Sequence, residues 1–136
     1  MDPILHLSLP VRDLAEARIF YVDVLGCEPG RVRDGWIDVW FYGMQVTLHE
    51  EPELVSAPDA RAVRHFGVTL AADELAALLQ RLDTQTIVPS IEWLRPLTTD
   101  YAGTGRSQTN AMIADPSGNA IELKTYADPA AAFSDR

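Results

Sequence analysis

The three histidines of the chain and one late glutamate are the residues whose types and positions could do metal chemistry. His6 opens the run His-Leu-Ser-Leu-Pro-Val, and His65 opens the run His-Phe-Gly-Val-Thr-Leu. Each run is followed by an aspartate, Asp13 or Asp73, at which a helical pattern begins. This repeated order indicates an internal duplication in which each half presents one imidazole from the same place.

Strand periodicity places these side chains on a common face. Successive side chains of a β-strand point to opposite faces, so each run separates into an apolar side and a polar side. The large aliphatic residues of four predicted strands fall on one side, and His6, His49, His65 and Glu122 fall on the other. Two imidazoles and one carboxylate on rigid strands form the facial ligand set of a catalytic divalent metal. We therefore predict that His6, His65 and Glu122 bind a metal, although a histidine on a strand is more often a satisfied polar residue.

The duplication also distinguishes the two halves. Glu122 lies four residues after Gly118, and the matching position after Gly43 is Thr47, so the first half offers no carboxylate ligand there. His49 lies two residues further on and faces the same side. We interpret it either as a catalytic acid–base group or as a passive residue or fourth ligand.

Three basic residues are candidates for substrate binding. Arg95 and Arg106 fall in a segment without a clear period and could hold an anionic substrate group. Lys124 shares the face of Glu122, where it is either a substrate contact or an ion-paired side chain.

Apolar periodicity predicts the order β-α-β-β-β twice, as one α+β domain over residues 1–136. The expected architecture is two βαβββ modules that form a cupped mixed sheet with helices on its outer face. We place module 1 at about 4–50, a linker at 51–62, module 2 at about 63–126 and a tail at 127–136. The predicted strands of module 1 span 4–9, 28–33, 36–41 and 45–49, and its helix begins at Asp13 and ends near Gly26. Module 2 has predicted strands at 65–70, 86–88, 111–114 and 120–125, a helix at 73–83, and a long loop at 89–107 that could cover a site.

Composition limits the classes of partner. The chain has 136 residues, 47% of them apolar, and a formal net charge of −9, which disfavours binding to a phosphate backbone. We therefore expect no nucleic-acid binding. No apolar stretch could span a bilayer, so we expect no membrane binding either. Cys27 is the only cysteine, so no intrachain disulfide can form and a reducing cytoplasm fits best. The expected partner is a small-molecule substrate.

These motifs together resemble the vicinal oxygen chelate superfamily, the group of glyoxalases, bleomycin-resistance proteins and extradiol dioxygenases. The resemblance rests on the first histidine run with Arg-Asp-Leu, on the second histidine run, and on Asp-Pro-Ser-Gly-Asn followed by Ile-Glu, and it covers residues 4–126. It implies two modules around a divalent metal, with ligands at His6, His65 and Glu122. Small two-module members commonly dimerise, often completing each cup with elements of both chains, so the resemblance also implies a homodimer.

Within this superfamily the chain looks most like small proteins related to extradiol dioxygenases. Glyoxalase I-like members carry a further glutamate ligand where this chain has Thr47. Ring-cleaving members carry an acid–base histidine on the fourth strand, which matches His49 at 65 − 49 = 16 residues before His65. They also carry a tyrosine on the seventh strand, where this chain has Met112, and their usual extra pair of modules is missing here.

The preferred hypothesis is a non-haem Fe(II) or Mn(II) dioxygenase that acts on a small catecholic or other vicinal-oxygen substrate, with His49 taking and returning a proton. The first alternative is a glyoxalase-like lyase or isomerase, or a thiol transferase, which uses the metal as a Lewis acid. The second alternative is a non-catalytic protein that binds a small molecule, as drug-resistance relatives do. A fold alone cannot choose among these functions.

Overall fold

The structure is a computed structural model that describes residues 1–99, 108–128 and 130. Its strands are β1 (His6–Val11), β2 (Glu28–Arg33), β3 (Trp36–Phe41), β4 (Met44–Glu50), β5 (His65–Thr69), β6 (Glu92–Thr99), β7 (Gln108–Ala114) and β8 (Ala120–Tyr126). Its α-helices are α1 (Leu14–Arg18), which continues into a π-helical segment (Ile19–Val24), and α2 (Ala72–Thr84). A short 3-10 helix (Pro52–Leu54) lies between the modules. None of the described helices is long and apolar enough to cross a bilayer.

The eight strands form two four-stranded mixed sheets with the same order, β1-β4-β3-β2 and β5-β8-β7-β6. In each sheet the first strand of the module pairs in parallel with the last strand, and the other pairs are antiparallel. This arrangement confirms the predicted α+β class with two βαβββ modules. The internal duplication inferred from the sequence is therefore present as two copies of one sheet topology.

The second strand of module 2 differs from the prediction. The segment 86–88 is not a strand, because the side-chain oxygen of Gln85 accepts hydrogen bonds from the backbone N–H groups of Ile87 and Val88 and holds them in a turn. The strand is Glu92–Thr99, inside the segment that we predicted as a loop over residues 89–107. Two register shifts interrupt its pairing with β7 and it contains Pro96, so its alternation is not visible in the sequence. Residues 100–107 of that predicted loop lie outside the described residues, as does the tail except for residues 127, 128 and 130.

The first helix begins as predicted. The Asp13 side chain caps it by accepting a hydrogen bond from the backbone N–H of Glu16 at 2.7 Å. Glu16 does not complete a capping box, because its carboxylate pairs with Arg12, whose Nε lies 2.8 Å away. The helical segment ends before Gly26, which takes φ +83°, a conformation that favours glycine.

Both modules bury their apolar faces in one hydrophobic core. The two helices and the apolar faces of both sheets contribute side chains to a single buried cluster. Contacts across the modules include the Phe41 and Phe66 rings, whose centroids lie 5.2 Å apart in an edge-to-face arrangement. The polar faces of the sheets, which carry the candidate site residues, are the faces that this core leaves uncovered. Fully buried members of the cluster are Val11, Tyr21, Val24, Val46, Leu48, Ile113, Ile121 and Leu123.

A buried hydrogen-bond network also joins the modules. The Tyr21 hydroxyl donates to Asp115 Oδ2 at 2.7 Å, and the Asn119 side-chain amide donates to the carbonyl of Pro10 at 2.9 Å. Burial raises the pKa of Asp115, although hydrogen bonds from Asn119 and Tyr21 act in the opposite direction. The carboxylate of Asp115 therefore depends on these donors for its stability inside the protein.

Removing the Tyr21 hydroxyl should destabilise the whole fold. Tyr21→Phe deletes one donor to a buried carboxylate, so we expect the free energy of unfolding to fall by about 1–3 kcal/mol. Urea denaturation followed by circular dichroism measures this change. Tyr42→Phe is the matched control, because Tyr42 is 52% exposed, and it should change the free energy of unfolding by less than about 0.5 kcal/mol. Equal effects of the two substitutions would contradict the role assigned to the network.

Candidate functional site

Strand register in the second sheet places His65 and Glu122 on one open face. β5 and β8 are parallel neighbours in which Gly67 is opposite Glu122 and Thr69 is opposite Lys124. Alternation then puts His65, two residues before Gly67, on the same face as Glu122 and Lys124. Gly67 is required here, because a Cβ at this position would collide with the backbone carbonyl of Glu122.

Three cationic or imidazole side chains surround the Glu122 carboxylate, which is only 13% exposed. Lys124 Nζ lies 3.2 Å from Oε1, Arg95 Nη1 lies 3.8 Å from Oε2, and His65 Nε2 lies 4.0 Å from Oε2. The carboxylate thus has one oxygen paired with Lys124 and the other directed toward His65 and Arg95. The carboxylate therefore has its countercharges within the second sheet itself.

Hydrogen bonding orients His65 with its Nε2 atom free to bind a metal. Its Nδ1 atom lies 2.9 Å from the backbone carbonyl oxygen of Ala62. Because a carbonyl only accepts, Nδ1 must carry a proton, and in the neutral ring the lone pair is then on Nε2. A backbone carbonyl that fixes the tautomer in this way is typical of metal-binding histidines. The 4.0 Å between Nε2 and Glu122 Oε2 is about 1 Å longer than the separation of two neighbouring ligands of one ion with bonds of about 2.0–2.2 Å, so a small approach of the two side chains would let them share an ion.

His6 does not join this pair within one chain. It lies on β1 in the other sheet, where its Nε2 atom is 3.2 Å from the Ser8 hydroxyl. In the part of the chain that the structure describes, no group of three or more His, Cys, Asp or Glu side chains is placed to hold a metal ion. A single chain therefore brings together two of the three predicted ligands, and the full set stays a prediction.

The two sheets use the same register at the ligand positions. Ser8, two residues after His6, is opposite Thr47, as Gly67, two residues after His65, is opposite Glu122. Thr47 is therefore the structural counterpart of Glu122, in agreement with the position inferred from the duplication. His6 faces the same side of its sheet as Thr47 and His49, so module 1 presents an open face that matches the one in module 2.

His49 lies on this open face of the first sheet. It is half-buried on β4 opposite Trp36, and the ring centroids of the two side chains are 6.5 Å apart with the rings tilted by 42°. The imidazole therefore has an aromatic neighbour on the first sheet. This placement is compatible with the predicted acid–base role, which stays a prediction.

A buried aspartate that sequence reasoning missed occupies the centre of the same face. Asp38, on β3, accepts hydrogen bonds from Thr47 Oγ1 at 2.7 Å, Arg31 Nε at 2.7 Å and Gln45 Nε2 at 3.1 Å. Burial alone would raise the pKa of Asp38, but the hydrogen bonds from Thr47, Arg31 and Gln45 outweigh it and lower the pKa. The signal in the sequence was an acidic residue at the centre of the aromatic strand Trp-Ile-Asp-Val-Trp-Phe.

The predicted substrate-binding residues have separate outcomes. Arg95 belongs to β6 and not to a loop, and it lies beside Glu122 with Nη1 also 3.4 Å from Asn110 Oδ1. Lys124 is ion-paired with Glu122 and lies 5.9 Å from the Tyr126 ring centroid. Arg106 lies outside the described residues. Substrate binding by these residues stays a prediction.

A groove of about 960 Å³ runs beside β1 and β5. It is lined by His65, by apolar side chains such as Leu7, Leu9 and Phe66, and by the segment between the modules, but not by Glu122 or Lys124. The groove therefore does not include the Glu122 carboxylate, and it does not extend over the open face of the second sheet.

The sheet topology and the histidine–carboxylate pair define a protein of paired βαβββ modules with a candidate metal centre. The chain belongs to the glyoxalase/bleomycin resistance protein/dioxygenase superfamily, whose family profile matches residues 3–123. No functionally curated protein matches the chain at a significant level.

Solved structures share this fold over nearly the whole chain. A glyoxalase/bleomycin resistance protein/dioxygenase from Alicyclobacillus acidocaldarius is 29% identical, with a TM-score of 0.83 and coverage of 93% of each chain. The fosfomycin resistance protein FosX from Listeria monocytogenes is 13% identical, with a TM-score of 0.69 and coverage of 92% of this chain and 93% of that one. A putative glyoxalase family protein from Bacillus anthracis is 21% identical, with a TM-score of 0.61 and coverage of 93% of this chain and 96% of that one. The last two similarities show the fold alone.

The lowered pKa of Asp38 predicts a pH-dependent contribution to stability. Because the folded state binds this proton more weakly than the unfolded chain, Asp38 stabilises the fold above the ordinary aspartate pKa, and the contribution is lost as the pH falls through the lowered folded value. Asp38→Asn should lower the free energy of unfolding by about 1–3 kcal/mol at pH 7 and by less at pH 3. Urea denaturation at both pH values measures the difference.

Asp34→Asn is the control for this experiment, because Asp34 is exposed in the turn between β2 and β3. It should change stability little at either pH. An effect of Asp38→Asn that is the same at pH 3 and pH 7 would contradict an ionised, hydrogen-bonded Asp38.

Proposed function

We propose that this protein is a metal-dependent enzyme whose cup is completed by two copies of the chain. His65 and Glu122 of one copy and His6 of the other would hold a divalent metal, Fe(II) or Mn(II). The observation that carries this proposal is the adjacent pair of module 2, in which the hydrogen bond to a backbone carbonyl leaves the lone pair on His65 Nε2 and the Glu122 oxygen lies 4.0 Å from that atom. The donor set of imidazole and carboxylate fits these metals.

The packing of the modules supports a second chain at the site. The shared core packs the apolar sides of both sheets together. The open face that carries His6 and the open face that carries Glu122 therefore belong to separate sheets. β1 and β5 are edge strands, each paired on one side only, and Leu5 beside His6 is 72% exposed. In a two-fold symmetric homodimer the module 1 face of one chain could cover the module 2 face of the other, which would form two equal cups.

The reaction that we propose is an extradiol-type dioxygenation of a small catecholic or other vicinal-oxygen substrate. The metal, when bound, supplies Lewis-acid polarisation of the two neighbouring substrate oxygens and activates dioxygen. His49, whose ring centroid lies 6.5 Å from that of Trp36 on the facing module, would accept a proton from the substrate hydroxyl at Nδ1 or Nε2 and return it. Lys124 and Arg95 balance the charge of Glu122 and add positive potential toward an anionic substrate.

One observation favours a different function. Lys124 and Arg95 pair with the Glu122 carboxylate, so the protein itself supplies countercharges for this group. A non-catalytic protein that binds a small molecule would need no more than this. Metal content distinguishes the two functions, because the binding protein retains its ligand after treatment with a chelator.

Oxygen uptake by Fe(II)-loaded protein tests the proposed reaction. With metal content measured on the same sample, at least one member of a panel of catechols should give uptake that depends on protein. His49→Phe should lower kcat by about 10²–10⁴-fold, because it removes general acid–base catalysis, and should keep its bound metal. His65→Ala should lose both metal and uptake, which separates the two roles.

Metal-loaded protein without uptake on any catechol would contradict the dioxygenase. Turnover under nitrogen that Ni(II), Co(II) or Mg(II) supports equally well would indicate Lewis-acid chemistry of the isomerase or thiol transferase type.

A further inference from the structure

An arginine of the first sheet is positioned by an irregularity in β2. The register of β2 and β3 shifts between Pro29 and Val32, as in a β-bulge. Gly30 lies within this irregularity, and a Cβ there would come within 2.8 Å of the Asp38 Cβ. The absence of a side chain at Gly30 and the bulge together let Arg31 reach across the open face to Asp38. Bulges that redirect a side chain are common next to functional sites.

Two neighbours hold the Arg31 guanidinium in place. Its Nε atom donates to Asp38 Oδ2 at 2.7 Å, and its central carbon lies 5.0 Å from the Trp36 ring centroid. The Asp38 side chain is only 2% exposed and is itself fixed by Thr47, whereas the Arg31 side chain is 57% exposed. The buried half of the pair therefore serves to orient the exposed half.

The outer edge of the guanidinium is free to bind a ligand. Among the described residues, only Asp38 forms a hydrogen bond with the Arg31 side chain, and the donor in this bond is Arg31 Nε. Nη1 and Nη2 therefore keep N–H groups that can donate in parallel to two oxygens of an oxyanion. Arg33, opposite Trp36 in the register, adds a second cation at this end of the sheet.

We propose that Arg31 is the anchor for an oxyanion group of the small molecule that this cup takes, and that the substrate is therefore anionic. The shared chemistry is that of a carboxylate, phosphate or phosphonate. The proposal rests on the proposed function for the identity of the cup, but the oxyanion site belongs to module 1 and needs no metal. The Trp36 ring centroid lies 5.0 Å from the central carbon of Arg31 and 6.5 Å from the ring centroid of His49, so both side chains border one aromatic ring.

Anion titration of the metal-free protein tests the site directly. Benzoate and, separately, inorganic phosphate are titrated while ¹H–¹⁵N spectra record the Nε–H signal of Arg31, which the bond to Asp38 should make observable. At least one of the two anions should shift this signal and saturate. Arg31→Gln should weaken the binding of that anion by about tenfold or more, because it removes a charge-assisted bidentate contact. Arg31→Lys, which keeps the charge and can still pair with Asp38, should also weaken binding, because an ammonium cannot form two parallel bonds.

Arg18→Gln is the control, since Arg18 is exposed on α1 and its loss changes the net charge by the same amount. It should leave anion affinity unchanged. Saturating shifts that occur at Lys124 or Arg33 and not at Arg31, or unaltered affinity in both Arg31 variants, would overturn the proposal.

A second arm tests the substrate class. If the Fe(II)-loaded protein consumes oxygen, Arg31→Gln should raise KM for 3,4-dihydroxybenzoate by about tenfold and leave KM for catechol nearly unchanged. Equal effects on the two substrates would overturn the anchoring role. If the protein consumes no oxygen with any catechol, the proposed reaction fails while the titration still decides the oxyanion site.

Discussion

The burial of the apolar sides of both sheets in one core is the constraint on which the rest of the structure depends. Each four-stranded sheet has one apolar side, and an isolated module would leave that side exposed to water. The two modules solve this problem for each other, with Tyr21 and Asp115 joined inside the contact. As a consequence the polar sides of the two sheets lie outside this core and do not face each other within one chain. Each chain then presents two open polar faces, which are equivalent by duplication and different in chemistry.

The division of residues between these faces follows the duplicated register. The position occupied by Glu122 in module 2 is occupied by Thr47 in module 1, and the neighbouring strand carries Met112 in module 2 and Asp38 in module 1. A carboxylate thus occurs on both faces, but its partners differ. Glu122 lies beside a histidine whose Nε2 is directed at it, whereas Asp38 is enclosed by Thr47, Gln45 and Arg31. Module 2 therefore offers candidate metal ligands, and module 1 offers a proton-transfer candidate and an oriented arginine.

The sequence predicted the parts of this structure that depend on local periodicity. The structure confirms the strands that contain His6 and His65, which alternate strongly, and the α2 helix, which has an apolar stripe. It also confirms the Asp13 cap. The sequence did not predict β6, because bulges and Pro96 remove the alternation on which such a prediction depends. It did not predict the Arg31–Asp38 pair either, since an irregular register in β2 determines that contact.

The sequence predicted which residues lie on the polar faces of the candidate site, but not how those faces come together. Alternation is sufficient to place His6, His65 and Glu122 on polar faces, because facing is a property of each strand. Whether two faces meet depends on how the modules pack, and that packing is decided by distant apolar residues such as Phe41 and Phe66. The same residues can therefore form a cup within one chain or between two chains without any change in local pattern.

Subunit complementation tests the claim of a cup shared between chains most directly. His6→Ala and Glu122→Ala chains are each purified, shown to be folded, mixed with exchange of subunits, and assayed for bound Mn(II). If His6 of one chain meets His65 and Glu122 of the other, each mixed dimer has one intact cup, and random mixing restores about a quarter of the wild-type binding. Each variant alone should bind none at this site. No recovery in a sample shown to contain mixed dimers would contradict the shared cup, because sites made within one chain remain broken in every combination.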